Sequence, residues 1–240
     1  MLPIIEVKNL SKSYQKKEVL KNLNVQIYPG DRVAILGANG CGKTTFVEMI
    51  SNFLKPTAGE IIINLDSNIK KDVGIQFQEG YWPIGIRIKD MIKFYRKVYE
   101  NFSPAYEKML EEVFELDKIK NTNLQKLSGG QKQRFNAMLA VINNPKIVIL
   151  DELTTGLDIE LQYKILNFFN EYTINNNKTL LIVSHHPEEV EMLCNRILLF
   201  GNKSILLDCP IKEVKNKFGS IRNLMNLYFK GEIKHENYSK

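Results

Sequence analysis

Gly37-Ala38-Asn39-Gly40-Cys41-Gly42-Lys43-Thr44-Thr45 is a glycine, four residues, then Gly-Lys-Thr, the pattern of a phosphate-binding P-loop. Its flanks agree with that reading. Val33-Ala34-Ile35-Leu36 leads in as an apolar run fit for a buried parallel strand, and Phe46-Val47-Glu48-Met49-Ile50 follows with helical character. A strand, a glycine-rich turn and a helix N-terminus together make an anion site, because successive backbone N–H groups converge there and the helix dipole adds positive potential. Glycines let the backbone curl where a Cβ would clash. In such a loop Lys43 lies on the β- and γ-phosphates and Thr44 offers its hydroxyl to Mg²⁺.

Outward from that loop, residues 4–10 and 23–28 alternate apolar and polar side chains and read as half-buried antiparallel strands. Tyr14 precedes the loop by a hairpin, a position from which a ring can stack on a base. Pro29-Gly30-Asp31 is a turn into the P-loop strand. Beyond the P-loop helix, Ile61-Ile62-Ile63 and Val73-Gly74-Ile75-Gln76-Phe77 read as strands, the second closed by Gln78 and an irregular link through Tyr81-Trp82-Pro83. Residues 86–142 then carry apolar side chains at helical spacing (Ile88, Met91, Ile92, Tyr95, Val98 and Tyr99, then Met109, Leu110, Val113, Phe114 and Leu116), with no strand pattern. Within them, Leu127-Ser128-Gly129-Gly130-Gln131 opens another helix. A serine cap explains Ser128, but two glycines lower helix propensity, so a second anion site is the better account.

Ile147-Val148-Ile149-Leu150-Asp151-Glu152 is an apolar run ending in two carboxylates. Such a run is a strand buried on both faces, and its carboxyl end belongs beside the ligand in an open α/β sheet. Two adjacent carboxylates are costly there without a metal or a reaction to serve. Asp151 suits Mg²⁺ and Glu152 suits polarising an attacking water. A helix over 159–173 and a buried strand, Thr179–Val183, follow. That strand delivers Ser184-His185-His186, and one of the two histidines belongs at the γ-phosphate.

The 240 residues fit one large α/β domain or a core with one inserted lobe. Hydrophobic content of 44% and charged content of 25% are those of a soluble globular protein. No run approaches the ~20 apolar residues of a membrane span, and no secretory signal is visible at the N-terminus. Cys41, Cys194 and Cys209 are scattered, which suggests a reducing compartment rather than a disulfide framework. Net charge is +6, from 33 basic and 27 acidic residues. The lysines are spread rather than clustered with aromatics, so no nucleic-acid partner is expected.

Taken together, these stretches resemble the ATP-binding cassette (ABC) ATPases, the nucleotide-binding subunits of ABC transporters. The match runs from about residue 4 to 208, and Leu127 to Gln131 reproduces the family's own signature. The resemblance implies an α/β fold: a P-loop NTPase, RecA-like core with an antiparallel β subdomain and an inserted helical lobe. It implies one ABC ATPase domain over 1–240, with the core at 1–79 and 147–208, the signature lobe at 80–146 and a tail at 209–240. ATP and Mg²⁺ are the implied cofactors. Gly37 to Thr45, Ser128, Gly129, Gly130, Gln131 and Asp158 are the implied nucleotide-binding residues, with Tyr14 on the adenine. Thr44, Gln78 and Asp151 serve the metal. Lys43, Gln78, Glu152 and His185 carry the chemistry, Glu152 as base and His185 as the switch histidine because it directly follows Ser184.

The resemblance also implies two cassettes paired head to tail, homo- or heterodimeric, each ATP lying between one P-loop and the other chain's Ser128–Gly130. A separate polytopic permease is the membrane partner, which places the chain in the cytoplasm, peripheral on the inner face of the membrane. The helical lobe and Tyr81-Trp82-Pro83 are expected to form the docking groove. The chain's brevity, the Phe-Gln-Glu link and Ser-His-His-Pro-Glu-Glu look like cassettes of export systems, with an importer as the runner-up. Repair and chromosome-organising cassettes need a long heptad insertion, absent here, and translation-associated ones carry two cassettes. Three points are particular to this chain. Leu153 replaces the family's usual proline, which should alter the loop backbone without removing a reacting group. His186 stands where aspartate is frequent. Cys41 is expected to make the site thiol-sensitive where accessible.

Overall fold

The computed structural model describes residues 1–65, 69–76, 82, 84–99 and 102–233. Gln78, Tyr81 and Pro83 lie outside the described residues, so the expectations placed on them do too. The chain opens with a long hairpin. β1 (Ile5–Tyr14) pairs antiparallel with β2 (Lys17–Ile27), and β4 (Ala58–Ile63) joins the other side of β1. Both hairpin strands run further than the alternation at 4–10 and 23–28 suggests, and Tyr14 becomes the last residue of β1.

The second sheet has six strands in the order β5-β6-β7-β3-β8-β9. These are β3 (Arg32–Gly37), β5 (Val73–Gln76), β6 (Ile147–Asp151), β7 (Thr179–Val183), β8 (Arg196–Gly201) and β9 (Ser204–Pro210). The first five strands in that order share one direction, and β9 closes the edge antiparallel to β8. Successive side chains of a strand leave on opposite faces, which divides the core in two. Val33, Ile35, Ile147, Ile149, Leu181 and Val183 pack with the antiparallel sheet and with α1 (Lys43–Ile50). Ala34, Leu36, Val148, Leu150, Leu180 and Ile182 pack with the remaining helices. Apolar burial on both faces explains why these strands lack polar alternation.

After the short α2 (Ile69–Asp72), α3 (Ile88–Val98), α4 (Pro104–Val113) and α5 (Gly129–Val141) make the helical region, with an isolated bridge from Arg87 to Asn123. Ile88, Ile92, Leu110 and Phe114 are its buried stripe, whereas Val98 and Met109 are exposed, against the spacing. α6 (Ile159–Asn175) is capped by Asp158, whose carboxylate accepts from Leu161 N at 3.0 Å. α7 (Pro187–Leu193) follows β7. α8 (Ile211–Phe218) and α9 (Ile221–Phe229) return the chain to the core through buried Val214, Ile221 and Leu224. Among the described residues no helix is long and apolar enough to cross a membrane.

Candidate functional site

Strand order builds the site. β7 lies between β3 and β6, so the carboxyl ends that deliver Gly37, Asp151 and Val183 are neighbours. A cleft of about 440 Å³ sits over them, lined by Val19, Asn39, Gly40, Gly42, Lys43, Thr44, Thr45, Asp151, Glu152, Val183 and His185. Gly37 leaves β3 with φ +143, and a Cβ there would stand 2.5 Å from the Phe200 carbonyl oxygen and 2.8 Å from Cys41 Sγ. Only glycine fits that turn. Gly42, at φ +105, begins α1, whose first N–H groups have no partner within the helix.

Lys43 is 6% exposed, and its ammonium donates to the carbonyls of Gly37 (2.8 Å) and Ala38 (3.0 Å). Two of its three donors are thereby spent on the loop. Asp151 is buried, and its carboxyl is pushed up to about 6, first by burial and then by the neighbouring Glu152 charge. Paired carboxylates facing a buried ammonium and a threonine hydroxyl are a donor set that suits a hard divalent cation completed by phosphate oxygens and water.

Glu152 sits just past β6 at φ +54, unusual for a residue with a side chain. Its amide donates to Val183 O at 2.9 Å. A proline at 153 would press residue 152 toward extended backbone; Leu153 removes that constraint and is itself fully buried. His185 Nε2 lies 3.8 Å from Glu152 Oε1. Burial, with Lys43 beside it, lowers the imidazole below its ordinary range, which favours the neutral ring. His186 does not line the cleft. Its amide donates to Ser184 Oγ at 2.9 Å, and its side chain makes no capping bond to α7.

Several residues escaped the sequence reading. Val19 and Val183 line the cleft. Gln133, just past the first turn of α5, donates to the Glu152 carbonyl, and buried Gln76 donates to the Asp151 carbonyl at 3.2 Å. Glu189 on α7 is 2% exposed and accepts from Thr154 N at 3.1 Å, from Thr154 Oγ1 and from Ser184 Oγ. It ties the segment after Glu152 to the segment carrying His185. A buried carboxylate three to four residues past a histidine was the available signal.

Other expected residues stand apart from the cleft. Tyr14 is 46% exposed at the hairpin tip, with Lys12 Nζ 5.1 Å above its ring, and is not among the lining side chains. Ser128 caps α5 by accepting from Gln131 N at 3.3 Å, while Gln131 Oε1 accepts from Ser128 N at 3.0 Å. Neither they nor Gly129 and Gly130 line the cleft of their own chain. Asp158 caps α6. Cys41 is half-buried, and burial pushes its thiol up, so the expected thiol sensitivity is blunted by a scarce thiolate. Trp82 is partly buried and packs on Phe135 with ring centroids 5.6 Å apart.

A parallel sheet ending in a lysine-bearing P-loop, two carboxylates and a histidine defines a P-loop ATPase. The chain matches the ABC transporter family over residues 20–155. It is 33% identical to the nickel import system ATP-binding protein NikE of Staphylococcus aureus (strain N315), across 89% of this chain and 93% of that one. The structure of an ABC transporter's ATP-binding subunit superposes with TM-score 0.82 at 22% identity, covering 95% of this chain and 98% of that one. The dimeric structure of MJ0796, a bacterial ABC transporter cassette, gives TM-score 0.76 at 26% identity over 86% and 98%.

The chain belongs to the ABC transporter family, as its ATP-binding subunit. It is accordingly an ATP hydrolase that uses Mg²⁺, with a membrane permease and a second cassette as its partners.

Proposed function

We propose that this chain energises solute import, binding ATP in the cleft over β3, β6 and β7 and hydrolysing it while paired with a second cassette. One observation carries the direction: the S. aureus relatives, 33% identical over 89% of this chain, are named as subunits of a nickel import system. That favours the importer, the runner-up of the sequence reading, over the export resemblance. The chain then works at the cytoplasmic face of the membrane, held there by its permease.

The roles follow from chemistry at each position. Lys43 and the amides opening α1 hold the β- and γ-phosphates. Thr44, Asp151 and Gln78 hold Mg²⁺, which supplies charge neutralisation at the phosphates. Glu152 takes the proton of the attacking water, and neutral His185 donates to the γ-phosphate. The signature residues Ser128 to Gln131, being outside their own chain's cleft, meet the nucleotide of the opposing cassette. Residues 80–146 serve as the signature lobe of a single ATPase domain. Exposed Phe94 and Val98, one turn apart on α3, support a permease-docking surface on that lobe.

Cargo accumulation tests the direction. Cells whose only copy carries Glu152→Gln should lose uptake of the cargo, with radioactive nickel the first to try. Undiminished uptake of every ion tried, with a compound retained inside the variant cells, would overturn import in favour of export.

A further inference from the structure

The peptide joining Gly37 to Ala38 is gripped at both ends. On one side its carbonyl, Gly37 O, accepts from Lys43 Nζ at 2.8 Å. On the other its N–H, on Ala38, donates to the phenol oxygen of Tyr228 at 3.1 Å. The two partners come from opposite ends of the sequence, since Tyr228 lies in α9, far from any nucleotide motif. The phenol is held in turn. Its ring lies against Gly201, where an added Cβ would approach Tyr228 Cε2 to 3.1 Å, and α9 is anchored by buried Ile221 and Leu224. Gly201 closes β8, which pairs with β3 directly at Gly37. A continuous run of contacts thus reaches from the C-terminal helix, through Gly201 and Phe200, to the first turn of the P-loop.

That turn needs such a hold. Gly37 has φ +143, open to glycine and to little else, so nothing in its own side chain fixes the following peptide plane. Rotating that plane would turn Gly37 O away from Lys43 and leave the ammonium that the γ-phosphate needs in place with one of its two loop carbonyls, Ala38 O. The phenol oxygen makes rotation cost a hydrogen bond.

We propose that Tyr228 is a positioning residue for the ATPase, locking the Gly37–Ala38 peptide so that Lys43 is preset for phosphate, and that the C-terminal helix thereby sets nucleotide affinity. This rests on the P-loop reading of residues 37–45. The test is built so that the two fail separately.

Tyr228→Phe keeps the ring and removes only the oxygen. In the nucleotide-free chain, amide exchange at Ala38 should quicken by about fivefold, the factor of one ordinary hydrogen bond. KM for ATP should rise by a similar factor, with kcat and the thermal midpoint little changed. Arg222→Ala, on the same helix as Tyr228, removes an exposed ion pair to Glu188 of α7 and should leave KM alone. Unchanged exchange at Ala38, or faster exchange with unchanged KM, overturns the proposal. An equal KM rise in Arg222→Ala also overturns it, by assigning the effect to helix docking at large. Lys43→Ala that still binds ATP normally would instead sink the P-loop reading, whatever Tyr228 does.

Discussion

Asp151 carries a carboxylate where water barely reaches, and its carboxyl is pushed up to about 6 by burial and by Glu152. A folded value above the ordinary one means that the native state binds the extra proton between about pH 4 and 6. The native state is therefore favoured on the acid side, and stability falls as pH rises through that window. With about 1.4 kcal/mol per unit, ionised Asp151 costs the metal-free chain about 3 kcal/mol at neutral pH. Asp151→Asn should gain about 1–3 kcal/mol in urea unfolding at pH 7.5 with chelator, lose most of that gain near pH 4, and hydrolyse almost no ATP. A loss of stability at pH 7.5 would show the carboxylate to be well satisfied as it stands. Glu152 is a different case, because its side chain is partly exposed. Glu152→Gln should keep ATP binding and lose hydrolysis by about 10²-fold or more, the usual worth of a positioned base. Single-turnover hydrolysis checks it, and a fully active variant removes Glu152 from the mechanism.

At the scale of elements, α7 does more than follow a strand. Glu189 accepts hydrogen bonds from Thr154 and Ser184 together, which ties the loop after β6 to the loop after β7. Truncation leaves those buried donors without partners, each costing about 1–3 kcal/mol. Glu189→Ala should therefore destabilise the chain by about 2–4 kcal/mol and lower kcat more than it raises KM for ATP. Glu189→Gln, which keeps one carbonyl acceptor, should recover much of the stability. Full stability in Glu189→Ala would mean that water replaces the carboxylate. The sequence announced the elements that carry a motif, because P-loop, signature and strand-ending carboxylates each combine a residue pattern with a period. It said little of Glu189, Gln133 or Tyr228, whose importance comes from a partner far along the chain. Val98 and Met109 misled for the opposite reason: they keep helical spacing yet are exposed to solvent.

For the whole molecule, the decisive fact is the order β5-β6-β7-β3-β8-β9, which sets Lys43, Asp151, Glu152 and His185 around one cleft and leaves the signature elsewhere. No local pattern states that order, although each strand could be read. The two signature glycines then separate by what surrounds them. A Cβ on Gly130 would come 2.6 Å from the Gly156 carbonyl oxygen, so its own chain requires that glycine. Among the described residues a Cβ on Gly129 would meet nothing within 4 Å, so their packing gives no reason for it. A glycine at a helix start, at a cost in helix propensity, leaves room for a ligand that comes from outside. Gly129→Asp should thus leave the monomer as stable as before, since an acidic residue in a first helical turn is favoured by the dipole. ATP should still bind, because the cleft is untouched. Hydrolysis should fall by at least about tenfold, and ATP should no longer drive dimerisation of the Glu152→Gln background, because a carboxylate would face the incoming γ-phosphate of the other cassette. Sedimentation with and without ATP reads the second effect directly. A dimer that persists in Gly129→Asp, with hydrolysis intact in the otherwise native chain, would mean that the open face at Gly129 meets something other than nucleotide.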